Sequence, residues 1–370
     1  MSHIPIREKL LLGPGPCNPA PSVLKALAQP TLGHLDPDFI AIMDETKDQL
    51  RRIMRTTNPV TFAVSGTGSA GMEFIAVNFL EPGDRAVVAV HGVFGMRMAN
   101  LTENMGVETR RVPFEWGKPV DRDVLFAAID EVRPKLVHVV SGETSTGVYQ
   151  DMAGMADFAH QRGALFSIDC VTSLSGMPVE IDLWGVDLAF SGTQKCLGCP
   201  PGLSPVTVSD RAVKSFENRR SPVPSFYLNL KELLAYVGTG RGGARAYHHT
   251  APVNMVYALN EALRLILEEG LEARWQRHRA AAEYLIGQMK PLGFEPLVEA
   301  SCRLHPLTTL RLPDGLDEAA VRGRLLKEDD IEVGGGLGPL AGKIWRIGLM
   351  GGNARPEVVD RLVTALKRQL

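Results

Sequence analysis

The sequence predicts an α/β fold, with a large doubly wound, mostly parallel sheet domain followed by a smaller C-terminal α+β domain. Three observations predict it. Between Pro59 and Val208, apolar β-rich runs alternate with helical patterns. The runs themselves, such as Ala-Val-Val-Ala-Val at 86–90 and Leu-Val-His-Val-Val at 136–140, are apolar throughout, so helices must cover both faces of the sheet. Beyond about Gly270 the pattern changes to long helices mixed with a few separate strands.

In chain order, strands are expected at Val60–Val64, Arg85–Val90, Val107–Val112, Lys135–Val140, Ala164–Ile168, Val186–Phe190 and Leu203–Val208. Asn218–His249, rich in Arg, Gly, Pro and Tyr, reads as an irregular surface excursion. A helical pattern resumes near Ala251 and continues through Leu271–Met289 with charges on one face. Strands at Leu304–Leu312, Ile331–Val333 and Lys343–Ile347 then mix with helices at Leu316–Lys327 and Pro356–Leu370. These expectations divide the chain into an N-terminal arm and active-site loop (1–20), a large domain (21–269) and a small C-terminal domain (270–370).

Composition removes several classes of partner. The 370 residues carry 40 Lys+Arg against 42 Asp+Glu, a net charge of −2, with no basic block to gather phosphate backbones or anionic lipid. Neither nucleic acid nor a membrane is expected as a partner. No apolar run approaches the ~20 residues that span a bilayer. Five cysteines, odd in number and unevenly spaced, suit free thiols in a reducing compartment, and the expected location is the cytoplasm.

Ligands of doubly wound sheets gather at the carboxyl ends of the strands. Unusual polar residues follow several of them here. Phe190-Ser-Gly-Thr-Gln-Lys195 places one lysine beyond an apolar strand in a turn of small residues. A loop lysine is most often merely solvated; in a partly dry pocket its ammonium is destabilised, and the amine can form a Schiff base with an aldehyde such as pyridoxal phosphate. That cofactor also needs N–H donors for its phosphate. Ser65-Gly-Thr-Gly-Ser-Ala-Gly71, between a strand and the helical run Met72–Leu80, supplies a Gly-rich turn that could instead bind a nucleotide or only turn the chain.

The cofactor's pyridine nitrogen needs an anionic partner to make the ring an electron sink. Asp169, at a strand end, provides a carboxylate there, although a strand-end Asp commonly caps the following turn, here through Ser173. Phe94, in His91-Gly-Val-Phe-Gly95, offers either a flat face for the ring or a core side chain. The order along the chain, Gly-rich turn, aromatic, strand-end Asp, then Lys, favours the joint reading over the four separate ones. Arg346, flanked by apolar residues in Ile344-Trp-Arg-Ile-Gly348, is either a fork for a substrate carboxylate or half of an internal salt bridge.

These residues belong to a larger set of motifs: Leu11-Leu-Gly-Pro-Gly-Pro16, Ser65-Gly-Thr-Gly68, Gly142-Glu-Thr-Ser-Thr-Gly147, Asp169-Cys-Val-Thr-Ser173, Ser191-Gly-Thr-Gln-Lys195, Pro200-Pro-Gly202, Tyr247-His-His-Thr250, Gly335-Gly-Leu-Gly-Pro339 and Arg346-Ile-Gly348. Together, in this order over nearly the whole chain, they resemble the alanine–glyoxylate and serine–glyoxylate aminotransferases, class V members of the fold type I pyridoxal phosphate (PLP) enzymes. The resemblance implies that Lys195 carries the cofactor, Asp169 pairs with its ring nitrogen, Phe94 stacks on one ring face and Val171 packs on the other. It implies hydrogen bonding near the ring hydroxyl from Thr144 and a phosphate site made of Thr67, Gly68, Ser69 and Gln194. Tyr247 and Thr250 would reach that phosphate from the neighbouring subunit of a homodimer, and Arg346 would take the carboxylate of small amino-acid and keto-acid substrates.

Departures narrow the resemblance. Relatives acting on ureidoglycine carry Gln-Phe-Asp where this chain has His34-Leu-Asp36, and Asn where it has Tyr247. Relatives acting on free pyridoxamine lack the phosphate cup that Ser65–Gly68 retains. Class V desulfurases need a mobile small-domain cysteine, and Cys302 is the one candidate, without the surrounding motif. Cys196-Leu-Gly-Cys199 could be a redox pair or half a zinc site; with no second ligand pair at matching spacing, buried thiols are expected and no metal. The rival from another class is a nucleotide-binding oxidoreductase using Ser65–Gly71 for pyrophosphate and Asp84 for ribose.

Overall fold

The computed structural model describes residues 6–239 and 244–370. The chain opens with β1 (Leu10–Leu12), α1 (Pro21–Leu27) and α2 (Pro37–Met54). Helix α2 begins where the Asp36 carboxylate accepts the Asp38 N–H and Pro37 supplies a preset first φ. The alternation then runs β2 (Val60–Ser65), α3 (Gly68–Phe79), β3 (Arg85–Val90), α4 (Val93–Asn104), β4 (Glu108–Pro113), α5 (Arg122–Val132) and β5 (Leu136–Val140). A short hairpin, β6 (Gly142–Glu143) and β7 (Val148–Tyr149), precedes α6 (Met155–His160), β8 (Leu165–Asp169), α7 (Ile181–Trp184), β9 (Leu188–Phe190) and β10 (Leu203–Val208). Helices α8 (Asp210–Glu217), α9 (Leu230–Val237), α10 (Val253–Glu269) and α11 (Leu271–Met289) lead to β11 (Glu295–Pro296), β12 (Leu307–Arg311), α12 (Glu318–Glu328), β13 (Ile331–Gly335), β14 (Ile344–Gly348) and α13 (Pro356–Gln369).

Seven strands form the main sheet in the order β2-β10-β9-β8-β5-β3-β4. All run parallel except β10, which is antiparallel to both neighbours. Every residue of β5, β8 and β10 is buried, as a sheet covered on both faces requires, and their few polar side chains are paired: His138 with Ser167 (3.0 Å), Ser204 with the Ser191 carbonyl (2.6 Å) and Thr207 with Thr61 (2.8 Å). At the edge, β4 carries Arg110 and Arg111 outward, which discourages pairing with a further strand.

The second sheet has the order β1-β13-β14-β12-β11. It is antiparallel except where Leu10–Leu12 lies parallel to Ile331–Val333. Residues expected only as an arm thus supply an edge strand, because three leucines have no strand identity until a partner lies beside them. Trp345 and Phe294, ring centroids 5.1 Å apart, anchor the core packed under α11, α12 and α13. Helices α10 and α11 meet at Gly270, whose φ of +84 suits glycine.

Within Asn218–His249, expected to be irregular, lies helix α9. Leu230, Leu233, Tyr236 and Val237 bury one face. The Asn78 side chain donates to the Leu228 carbonyl (2.7 Å) and accepts from the Leu230 N–H (2.9 Å). Eight residues are marginal as an isolated helix, so this one depends on its tertiary partners.

Candidate active site

Three loops converge at the carboxyl end of the main sheet. Ser65 ends β2 opposite Leu203, Asp169 ends β8 between Val140 and Phe190, and the turn after Phe190 leads to Lys195. Between these loops lies a cavity of about 180 Å³ lined by Thr67, Gly68, Ser69, Phe94, Asp169, Val171, Gln194 and Lys195. Eight residues singled out from sequence are therefore brought to one space. Met72, Phe190 and Arg97 also line it. Arg97 was not foreseen; its guanidinium sits 4.8 Å from the centre of the Phe94 ring, and its i+3 spacing from Phe94 on α4 was the available signal.

Lys195 is 8% exposed. Burial pulls its amine down to about 8, with nearby thiols and Asp169 opposing and Arg346 assisting. Nζ donates to the carbonyl of Pro14. The N-terminal motif thus lies over the amine, closely enough that a Cβ on Gly15 would fall 2.6–2.9 Å from the lysine side chain. Sequence reasoning quoted this motif without assigning that contact.

Asp169 accepts the Val171 N–H at 2.8 Å through one carboxylate oxygen, and its other oxygen meets no donor among the described residues. Burial pushes its carboxyl up to about 7; Glu143 adds to the rise, and the Val171 N–H and Lys195 oppose it. The expected alternative, a cap for the turn toward Ser173, is realised only as far as Val171. A buried carboxylate with a free oxygen beside a cavity fits a cationic ring nitrogen.

At the other end of the cavity, α3 begins at Thr67 with no side-chain cap. The N–H groups of Gly68 and Ser69 are thus first-turn donors, suited to an anion. Gly68 packs against Val171, where a Cβ would meet the valine at 3.0 Å. The Gln194 Oε1 is buried without a partner. An aldehyde-reactive amine, a ring-nitrogen acceptor, two apolar walls and an anion cradle together fit PLP.

Arg346 enters from β14 of the second sheet and is buried. Its Nε donates to the Gly335 carbonyl (2.7 Å) and its Nη1 to the Thr144 carbonyl (3.3 Å). Burial lowers its pKa while Glu143 supports the charge. No carboxylate among the described residues lies within ion-pair distance, so the internal salt bridge is not formed. Thr144 is buried beside this arginine through its backbone.

Tyr247 and Thr250 lie apart from this cavity on the surface. Tyr247 is 65% exposed with its ring centroid 5.1 Å from that of His34, and Thr250 is exposed. Between them, His248 stacks on Phe226 and His249 hydrogen-bonds Ser65 at 2.9 Å, both as packing groups. Asp84 is at the wrong end of the sheet for a ribose: it precedes β3 and pairs with Lys135 (2.6 Å) and Arg220 (2.9 Å). Cys196 and Cys199 are buried thiols held near 12 by burial. A larger cavity of about 470 Å³, bordered by Trp275, Arg303 and His305, is lined by none of the residues expected from sequence to hold cofactor or substrate, although Gly147 of the Gly142–Gly147 motif reaches its wall. Chemistry, not volume, marks the site.

The chain is similar to known proteins over nearly its whole length. Residues 22–347 match the family described as Aminotransferase class-V. The alanine–glyoxylate aminotransferase of Felis catus is 39% identical over 366 residues, covering 99% of this chain and 88% of that protein. The (S)-ureidoglycine–glyoxylate transaminase of Bacillus subtilis is 34% identical over 380 residues, covering 98% and 90%. The crystal structure of an alanine–glyoxylate aminotransferase from Nostoc sp. superposes with a TM-score of 0.97 at 47% identity, covering 100% of this chain and 97% of that one.

Proposed function

The chain belongs to the class V aminotransferases, and on that premise we propose that it moves an amino group from alanine or serine to glyoxylate, yielding glycine and a 2-keto acid by a ping-pong cycle. The observation that carries the reading is the meeting of Lys195, Asp169 and an open helix N-terminus at one cavity. The named activities of the similar proteins supply the acceptor. When bound, PLP provides an aldehyde and an electron-withdrawing ring that stabilises negative charge at a substrate's α-carbon.

The chain's residues do the rest. Gly68 and Ser69 N–H groups, with Thr67 and Gln194, hold the phosphate. Phe94 and Val171 would pack on the two faces of the ring, and Asp169 would supply the carboxylate partner of its nitrogen. Nζ of Lys195 takes the α-proton as general base and returns it as general acid, a role suited to an amine already lowered to about 8. Arg346 grips the substrate carboxylate, and Thr144 steadies that end of the site. By fixing the substrate carboxylate, Arg346 would limit how the α-carbon can be presented to Lys195 and so favour removal of its proton.

The same reading makes the enzyme a cytoplasmic homodimer in which Tyr247 and Thr250 complete the neighbouring subunit's phosphate site. No helix among the described residues is long and apolar enough to cross a membrane. It also divides the chain into an arm (1–20), a cofactor domain (21–269) and a small domain (270–370). Ureidoglycine is disfavoured as donor because His34 and Tyr247 stand at the two positions by which ureidoglycine-using relatives recognise the ureido group; free pyridoxamine is disfavoured because the anion cradle is retained. A donor–acceptor panel on the PLP-loaded enzyme tests the proposal. Alanine or serine with glyoxylate should give the highest kcat/KM, and a tenfold preference for pyruvate or for ureidoglycine would overturn it.

A further inference from the structure

Glu143 is a buried carboxyl group that the mechanism above does not use. It is fully enclosed. A carboxylate at such depth is costly unless donors surround it, and here they do. Its Oε2 accepts the Phe94 N–H at 3.0 Å, while Oε1 accepts the Ser145 N–H at 3.0 Å and the Ser145 hydroxyl at 2.6 Å. The Ser145 Oγ in turn accepts the Val93 N–H at 2.9 Å.

Val93 and Phe94 are the first two residues of α4, and their N-cap, Gly92, has no side chain with which to cap them. The helix start is capped from another segment. Gly92 makes the room: a Cβ there would lie 2.4 Å from Cγ and Cδ of Glu143 and 2.5 Å from the Ser145 Oγ. Its φ of 172 is extended backbone open to any residue, so glycine is needed there for space alone. The opposite side of the loop is held too. The Thr146 carbonyl accepts the Thr309 hydroxyl at 2.8 Å, the Thr144 carbonyl accepts Arg346, and Thr309 stands opposite Arg346 in the β12–β14 register.

We infer that Glu143 is a positioning residue that fixes the backbone of Phe94, and so the aromatic face of the PLP site, to the loop that Arg346 grips. The inference rests on the aminotransferase reading. It acts through Phe94, not through contact with cofactor or substrate. Glu143→Gln keeps the volume but turns an NH₂ toward a backbone donor.

The test is a double-mutant cycle on PLP affinity of the apoprotein. Glu143→Gln and Phe94→Ala should each raise the Kd roughly 10–100-fold, and the double variant should be within about threefold of the weaker single variant. Amide exchange in the same apoproteins should accelerate at Val93–Gly95 in Glu143→Gln while the strands stay protected. Should Glu143→Gln not fold, Ser145→Ala, which frees the Val93 N–H and removes one donor from Glu143 while leaving the Phe94 N–H bond in place, serves instead, with a severalfold rise that is likewise non-additive with Phe94→Ala. An unchanged Kd, losses that multiply, or exchange accelerated throughout the chain would overturn the inference alone. Wild-type apoprotein that does not bind PLP would instead overturn the functional reading, and this inference with it.

Discussion

The two sheets serve the site in unlike ways. The seven-stranded sheet places Asp169 at the end of β8, Lys195 beyond the neighbouring β9 and the Ser65–Ser69 turn at the end of β2, with β10 between β2 and β9, so the proposed cofactor residues share one rigid core. The five-stranded sheet contributes a single side chain, Arg346, whose position depends on register with β12 and on the Thr144 carbonyl. On the proposed reading, cofactor chemistry and substrate grip rest on separate cores, joined by the Gly142–Gly147 loop. Damage to one should be separable from damage to the other.

The sharpest way to break that division is Lys195→Ala, which should remove the visible absorbance of the loaded enzyme and lower turnover roughly 10⁴-fold or more. A variant that keeps both would show that the first sheet does not hold the reactive amine. Asp169→Asn comes next. Losing a buried charge pair costs about 3–5 kcal/mol, so kcat/KM should fall roughly 10²–10⁴-fold.

The same variant has an opposite signature in the apoprotein. Because the folded carboxyl titrates near 7 against an ordinary value of 3.8, the folded state binds more protons than the unfolded state between about pH 4 and pH 7. Its stability therefore falls as pH rises through that window. Apo Asp169→Asn should melt higher than apo wild type above about pH 7, and the difference should vanish below about pH 4. Melting curves that stay parallel at all pH values would mean that Asp169 is not strained in the empty fold.

Arg346→Lys probes the other sheet. It should weaken substrate binding by about 1.5–3 kcal/mol, roughly tenfold to a hundredfold in KM, with PLP affinity unchanged. If PLP affinity falls equally, the two cores are not separable. The smallest effect is expected at the dimer edge. Thr250→Ala should weaken PLP about three- to tenfold, with the deficit disappearing under dilution that separates wild-type subunits as well. A deficit independent of protein concentration would place Thr250 outside a shared site.

Most of the main sheet was legible residue by residue. Val60–Val64, Leu203–Val208 and their neighbours lie within two residues of the observed strand ends, because fully buried strands must be apolar on both faces. Lys195 and Asp169 were legible because a charged group ending an apolar strand needs a partner. Helix α9 was not, since its eight residues are stabilised by Asn78 far away in sequence. Nor was the role of Glu143. The letters Gly-Glu-Thr-Ser-Thr-Gly show a loop with a carboxylate in it, but not that the carboxylate points at the start of a helix 50 residues earlier.

Periodicity and residue chemistry were enough to place a lysine, an aspartate and a glycine-rich turn at the strand ends of an α/β fold, because each follows from interactions within a few residues; the aminotransferase expectation came from the resemblance that the motif order carries. Tertiary structure alone decided that Leu10–Leu12 joins the distant sheet, that Pro14 covers Lys195 and that Glu143 braces Phe94. These contacts pair segments separated by 49 to more than 300 residues, where no local periodicity specifies the partner and only packing of the finished cores brings donor to acceptor.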